Sequence, residues 1–221
     1  MGRRVALDTS ALEWTPSPSG SVWRKRLHKV GSAESGQVTS VVRYEPGSSF
    51  PAHDHPEGEE ILVLEGTFSD EHGDWPAGTH LLNPQGFRHA PFSREGCVLF
   101  VKLRQYAGVG REYRKSHTGK LPWRATGEAG IEAKRLYDEP GFVDRTQLER
   151  WAPGTTRVRS LPGGIEIFVL EGALEDALSR YPASSWLRLP DGAELAAASP
   201  DGCVLYVKSG AVSALREGRD D

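Results

Sequence analysis

The feature that most constrains this chain is that it repeats itself. Residues 58–102 align with residues 164–208 at a constant offset of 106, without a gap, and 21 of the 45 aligned positions are identical. Ile61-Leu-Val-Leu-Glu-Gly66 matches Ile167-Phe-Val-Leu-Glu-Gly172, and Gly96-Cys-Val-Leu-Phe-Val-Lys102 matches Gly202-Cys-Val-Leu-Tyr-Val-Lys208. Upstream, Arg43-Tyr-Glu-Pro-Gly47 matches Arg150-Trp-Ala-Pro-Gly154 at offset 107, so the second copy has lost one residue between the blocks. A register this long does not arise by chance, and a unit of about 100 residues is the size of one small domain. The 221 residues are therefore two copies of one fold, expected as domains 1–122 and 123–221 and joined within 106–123. That stretch carries Arg111, Arg114, Lys115 and Lys120 and reads as a solvated connector.

The repeated unit reads as β. Residues 38–44, 60–65, 79–82 and 97–103 are strand-like runs separated by scattered Gly and Pro. Residues 144–151 have weak helical spacing, but the repeat aligns their end with a strand of the first copy, which makes them strand as well. Residues 61–64 and 167–170 are apolar at every position, whereas a half-buried strand alternates, so both faces of these strands are expected to be covered, by the sister domain or by a second subunit.

Chemistry concentrates in the first copy. It reads Gly47-x5-His53-x-His55-x3-Glu59-x6-Gly66, then Gly78-x5-Pro84-x-Gly86-x2-His89. Residues i and i+2 of a strand face the same way, so His53 and His55 present two imidazoles together. Parity puts Glu59, Ile61 and Val63 on one side of the next strand and Glu60, Leu62 and Leu64 on the other. Three neutral imidazoles and one carboxylate suit Zn, Fe, Mn or Ni better than Ca or Mg.

Both half-motifs resemble those of the cupin superfamily, a double-stranded β-helix related to the jelly roll. His-x-His-x3-Glu-Glu-Ile-Leu-Val-Leu-Glu-Gly followed by Phe-Ser-Asp-Glu-His-Gly-Asp is similar to the cupin domain of ChrR-type anti-sigma factors, over about residues 44–106 and more faintly over the second copy. The resemblance implies two tandem cupin barrels, all-β, with His53, His55, Glu59 and His89 as ligands of a divalent metal, zinc first and iron, manganese or nickel next. Ser93 stands where the general motif usually has Asn. Members of that family carry a helical sigma-binding domain with its own His/Cys zinc motif. Only about 40 residues precede the cupin pattern here, and they hold no cysteine, which argues against direct sigma-factor binding.

The second copy has lost the quartet. Glu59 aligns with Ile165, His89 with Leu195, and His53 and His55 fall in 159–162, where there is no histidine. No His follows His117, so one metal per chain is expected. Glu60 is kept as Glu166, which singles out Glu59 as the metal carboxylate and leaves Glu60 solvated or behind the ligands. His72, His28 and His117 read as surface residues. His80 aligns with Trp186 and reads as packing or support. Cys97 and Cys203 read as buried small hydrophobes. Most of the aromatics Phe50, Phe68, Phe87, Phe92 and Phe100 belong to the core, and Phe87 shares parity with His89 and so is a candidate for the cavity wall.

Composition excludes other classes. Net charge is −3 with 26% charged residues, there is no basic run, and no apolar stretch reaches the roughly 18 residues of a membrane span, so neither nucleic acid nor membrane is an expected partner. Two cysteines and no apolar leader after Met1-Gly-Arg-Arg fit a cytoplasmic protein. Three functions remain open: a zinc-binding sensor or small-molecule-binding protein, a metal-dependent dioxygenase acting on a small ketone or related compound, or a scaffold, most simply a homodimer, built on the degenerate barrel.

Overall fold

The computed structural model describes residues 2–31, 36–105 and 109–215. Among these, regular structure is antiparallel strand, with three single-turn 3-10 helices. Leu12–Lys120 form the body of one compact unit, and the chain up to Ala11 joins Leu121–Leu215 in the other. The first of these, which carries the histidines, is called the first barrel below.

In the first barrel the main sheet runs in the order Arg114–His117, Thr79–Asn83, Glu59–Asp70, Cys97–Leu103, Gln37–Tyr44, Val22–Val30, Thr15–Pro16. The second barrel repeats the order strand for strand: Val5–Asp8, Ser185–Leu189, Ile165–Glu175, Cys203–Ser209, Arg145–Trp151, Ile131–Tyr137, Arg124–Ala125. The ambiguous segment before Trp151 is a strand and pairs with Cys203–Ser209. Shorter strands complete a second wall, so that each unit is a sandwich of the double-stranded β-helix type. Ile61, Val63 and Leu99 belong to the core of the first barrel and Ile167, Val169 and Leu205 to that of the second. Leu62 and Phe100, on the opposite faces of the same strands, are also buried, as the continuous apolar runs require.

The Glu-Gly pair that ends each apolar run has a geometric cause. Pairing with the neighbouring strand skips one residue between Leu99 and Val98, and the same bulge recurs between Leu205 and Val204. After the bulge, Gly66 and Gly172 have φ of +68° and +69°, and a Cβ there would lie 2.1 and 2.2 Å from a carbonyl oxygen of the adjacent strand. Only glycine fits both demands.

Two expectations need correction. Residues 106–123 are not merely a connector. Tyr106 lies outside the described residues, but Arg114–His117 is an edge strand on Thr79–Asn83 and Thr118–Lys120 a 3-10 turn. Its cationic composition is what protects an exposed edge, and it looks like a linker for the same reason. The division at 122/123 is also displaced. The first barrel ends at Lys120, and Val5–Asp8 pairs with Ser185–Leu189, in the place that Arg114–His117 takes in the first barrel. The repeat also extends further upstream than the motifs indicate. Trp14 is flanked by Lys25 and Arg43 at 4.7 and 4.6 Å, and Trp123 by Lys134 and Arg150 at 4.6 and 4.7 Å. In each case the two cations come from adjacent strands, and the strands of one barrel are the equivalents of those of the other.

Candidate metal centre

His53 and His55 sit on a three-residue strand, His53–His55, paired with Phe87–His89. The register sets His53 directly opposite His89. Alternation then turns all three imidazoles to one face, where they form a group that could hold a metal ion, with donor atoms within 4.8 Å of one another. His55 and His89 are buried at 7% and 1% exposure, and His53 stands at the mouth.

The donor atoms converge. His55 Nε2 is 3.0 Å from His89 Nε2. Glu59 Oε2 lies 3.5 Å from His55 Nε2 and 3.7 Å from His89 Nε2. Two ligands at about 2.1 Å from one ion, separated by about 90–110°, stand roughly 3.0–3.4 Å apart, so these spacings are close to one coordination sphere. The nitrogens are also turned correctly. His53 Nδ1 lies 2.9 Å from the Pro51 carbonyl and His89 Nδ1 3.2 Å from Asp70 Oδ2, contacts that need the proton on Nδ1 and leave the Nε2 lone pair for a metal.

Two supporting residues escape the motif. Asn83 donates through Nδ2 to Glu59 Oε2 at 2.9 Å and fixes that carboxylate. Asp70 accepts from Trp75 Nε1 at 3.2 Å and from the His72 amide at 2.9 Å while facing His89. The repeat hides Asp70. Its counterpart Asp176 accepts from the Leu178 amide in the same turn but faces Tyr181 and Arg4 instead, so its identity in both copies speaks for the turn and not the metal. Asn83 aligns with Leu189 and so changes with the quartet, which was a legible signal.

Electrostatics follow from this packing. Burial pushes the His55 imidazole below the ordinary histidine value, opposed by Glu59. Burial alone would lower His89 too, but the hydrogen bond to Asp70 and the charges of Glu59 and Asp70 outweigh it, and its pKa is raised. For Asp70, burial is outweighed by the hydrogen bonds from His89, His72 and Trp75, and the carboxyl sits below its usual range. Burial, with a further push from Glu59, raises the Tyr44 phenol well above its usual value and keeps it neutral.

The remaining candidates lie elsewhere. Glu60 is on the opposite face, as parity requires. It is not solvated: it is 2% exposed, with His80 Nε2 2.9 Å from its Oε1. His72 is exposed, and His28 and His117 are partly buried and outside the site. Cys97 and Cys203 are buried free thiols, and burial pushes Cys97 up to about 11. Phe87 does not line the cavity, because it stacks on Tyr113 at 5.4 Å; Phe50 and Phe68 line it instead. In the second barrel Arg159 lies opposite Leu195 as His53 lies opposite His89, and Leu161, Ile165 and Leu195 are core residues.

Asp70→Asn keeps the turn, since the amide oxygen still accepts from His72, but removes the charge behind His89. Metal affinity is expected to fall about 10–100-fold. A chelator-competition titration measures it, and an unchanged affinity would remove Asp70 from the site.

Comparisons with known proteins agree on the architecture. The sequence matches the family model of the ChrR cupin-like domain twice, over residues 2–107 and 113–213. No curated protein matches it. A candidate dioxygenase from Nostoc punctiforme superposes with a TM-score of 0.78 at 17% identity, covering 96% of this chain and 84% of that one. Escherichia coli YlbA superposes with a TM-score of 0.72 at 14% identity over 94% and 91%. The E. coli pirin YhhW, in complex with nickel(II), gives a TM-score of 0.65 at 16% identity over 94% and 98%. At these identities the structures speak for the fold, while the two family matches span nearly all of both barrels. This chain belongs to the ChrR cupin-like domain family.

Proposed function

We propose that this protein is a metal-dependent small-molecule-binding module of the ChrR-like type, with one zinc ion held in the first barrel by His53, His55, Glu59 and His89. The observation that carries this reading is that the convergent donors line a cavity of about 420 Å³, together with Val42, Tyr44, Phe50, Phe68 and Leu99 among other residues. That volume lies in the range of small-molecule sites. When bound, a divalent ion supplies Lewis acidity and a charge that orients an oxygen donor. The chain's own residues do the rest. Asp70 and the Pro51 carbonyl aim the imidazoles, Asn83 holds Glu59, and neutral Tyr44 offers a hydrogen bond inside the cavity. Four protein donors around zinc suit a binding or sensory role.

A second reading, a metal-dependent dioxygenase acting on a small ketone or related compound, is favoured by the open cavity and by the fold likeness to the candidate dioxygenase. Metal analysis and X-ray absorption of protein purified without added metal separate the two. Zinc at one per chain, with nitrogen and oxygen donors from protein alone, is the expected result. Iron or manganese with bound water, and oxygen uptake on adding a β-diketone, would move the assignment to the second reading. A protein that takes up none of these metals would sink both.

A further inference from the structure

Two of the arginines that line the metal cavity stand where the second barrel has a residue without a charged side chain. They are Arg24 and Arg104. Arg24 lies opposite Val42, and in the second barrel Ala133 lies opposite Glu149, the residue aligned with Val42. Arg104 occupies the place of Gly210: the Arg104 amide donates to the Gly58 carbonyl at 3.1 Å and the Gly210 amide to the Gly164 carbonyl at 3.0 Å. The backbone here is left-handed in both copies, with φ of +58° at Arg104 and +82° at Gly210. Glycine adopts this without strain and arginine does not. The strain is retained only in the copy that carries the metal donors, the kind of position where strain marks function.

The charge balance gives the ligand class. Three arginines, Arg24, Arg26 and Arg104, line the cavity against two carboxylates. One carboxylate is Glu59, among the metal donors. The other is Asp54, 62% exposed at the rim and paired with Arg88 at 3.2 Å. A divalent ion adds further positive charge. Facing this are apolar walls, with Phe50 lying 5.9 Å from the Arg24 guanidinium. We propose that the ligand of this site is a small organic carboxylate with an apolar body, its anionic group held by Arg24 and Arg104 and its body packed against Phe50 and Leu99. Guanidinium matches a carboxylate in shape as well as charge. The proposal rests on the metal reading above.

The test is calorimetry on zinc-loaded protein. Short-chain and phenyl-substituted monocarboxylates and 2-oxo acids are titrated, each beside its neutral amide. An acid should bind more tightly than its amide. Arg104→Gly and Arg24→Ala, each taking the residue of the second barrel, should weaken acid binding roughly tenfold or more. Amide binding and zinc content should stay as in the wild type. Acids and amides that bind alike, no binding of any acid, or variants that bind acids as the wild type does would overturn the proposal. Failure of the metal reading shows separately, as absence of zinc before any acid is added, and removes this proposal with it.

Discussion

His89→Ala is expected to abolish tight metal binding, with a loss larger than the roughly 10–100-fold that removal of an outer hydrogen-bonding partner costs. The reason is the position of its Nε2, 3.0 Å from that of His55 and 3.7 Å from Glu59 Oε2, so that it touches both other buried donors. Wild-type protein should take up one zinc per chain, and this should raise its unfolding free energy by about 2.7 kcal/mol when free metal is a hundred times the dissociation constant. The variant should show no such rise. Because His89 is only 1% exposed, the substitution also leaves the Asp70 carboxylate with one donor fewer and lowers stability on its own. His53→Ala controls for this. His53 stands at the mouth, so that variant should fold normally and still lose affinity. Elemental analysis after gel filtration and thermal melts with and without zinc are the measurements. Near-stoichiometric metal in His89→Ala would refute the ligand assignment. Two metals per wild-type chain would refute the register that places Leu195 and Ile165 at the equivalent positions.

Most of the candidate site is legible in the sequence as a set of side chains brought together, because strand parity and the repeat act as independent rulers. Parity alone separates Glu59 from Glu60, and the structure puts them on opposite faces, one near the imidazoles and one against His80. What escapes depends on partners distant in sequence. Asp70 sits in a turn that both copies need, so its second contact, with His89, leaves no trace in the repeat. Phe87 has the parity of a cavity residue, but Tyr113, from a segment read as linker, stacks on it. The edge strands fail for a related reason. An edge strand buries little, so its residues need not be apolar, and Arg114–His117 carries no hydrophobic pattern to read. Which barrel takes Val5–Asp8 is likewise a matter of backbone pairing, which side chains do not encode.

Arg159→Leu is expected to destabilise the second barrel by about 3 kcal/mol, and the cause is how that barrel fills the position that His53 takes in the first. Arg159 aligns with His53. Its Nη1 reaches both oxygens of Glu149 at 2.9 Å, and its Nη2 reaches Glu128 at 2.6 Å. Glu149 is 1% exposed and also accepts from Gln147 at 2.7 Å and from Trp151 at 2.9 Å. In the first barrel the residues aligned with Glu149 and Gln147 are Val42 and Ser40, so the second barrel sets a fixed cation and its carboxylate where the first has His53 and an apolar residue. Removing one partner of a buried pair costs about 3–5 kcal/mol, and the lower figure applies because the Arg159 side chain is 17% exposed. The pair itself adds little over an apolar filling, since desolvation offsets most of the attraction. Arg159→Leu combined with Glu149→Val, the residue the first barrel holds there, should therefore recover most of the loss. Urea unfolding of the single and double variants gives the coupling. A single variant as stable as wild type would mean that Glu149 tolerates burial without its arginine. A double variant no better than the single would mean that Arg159 acts by packing against Trp151, 5.4 Å from its guanidinium, and not by charge.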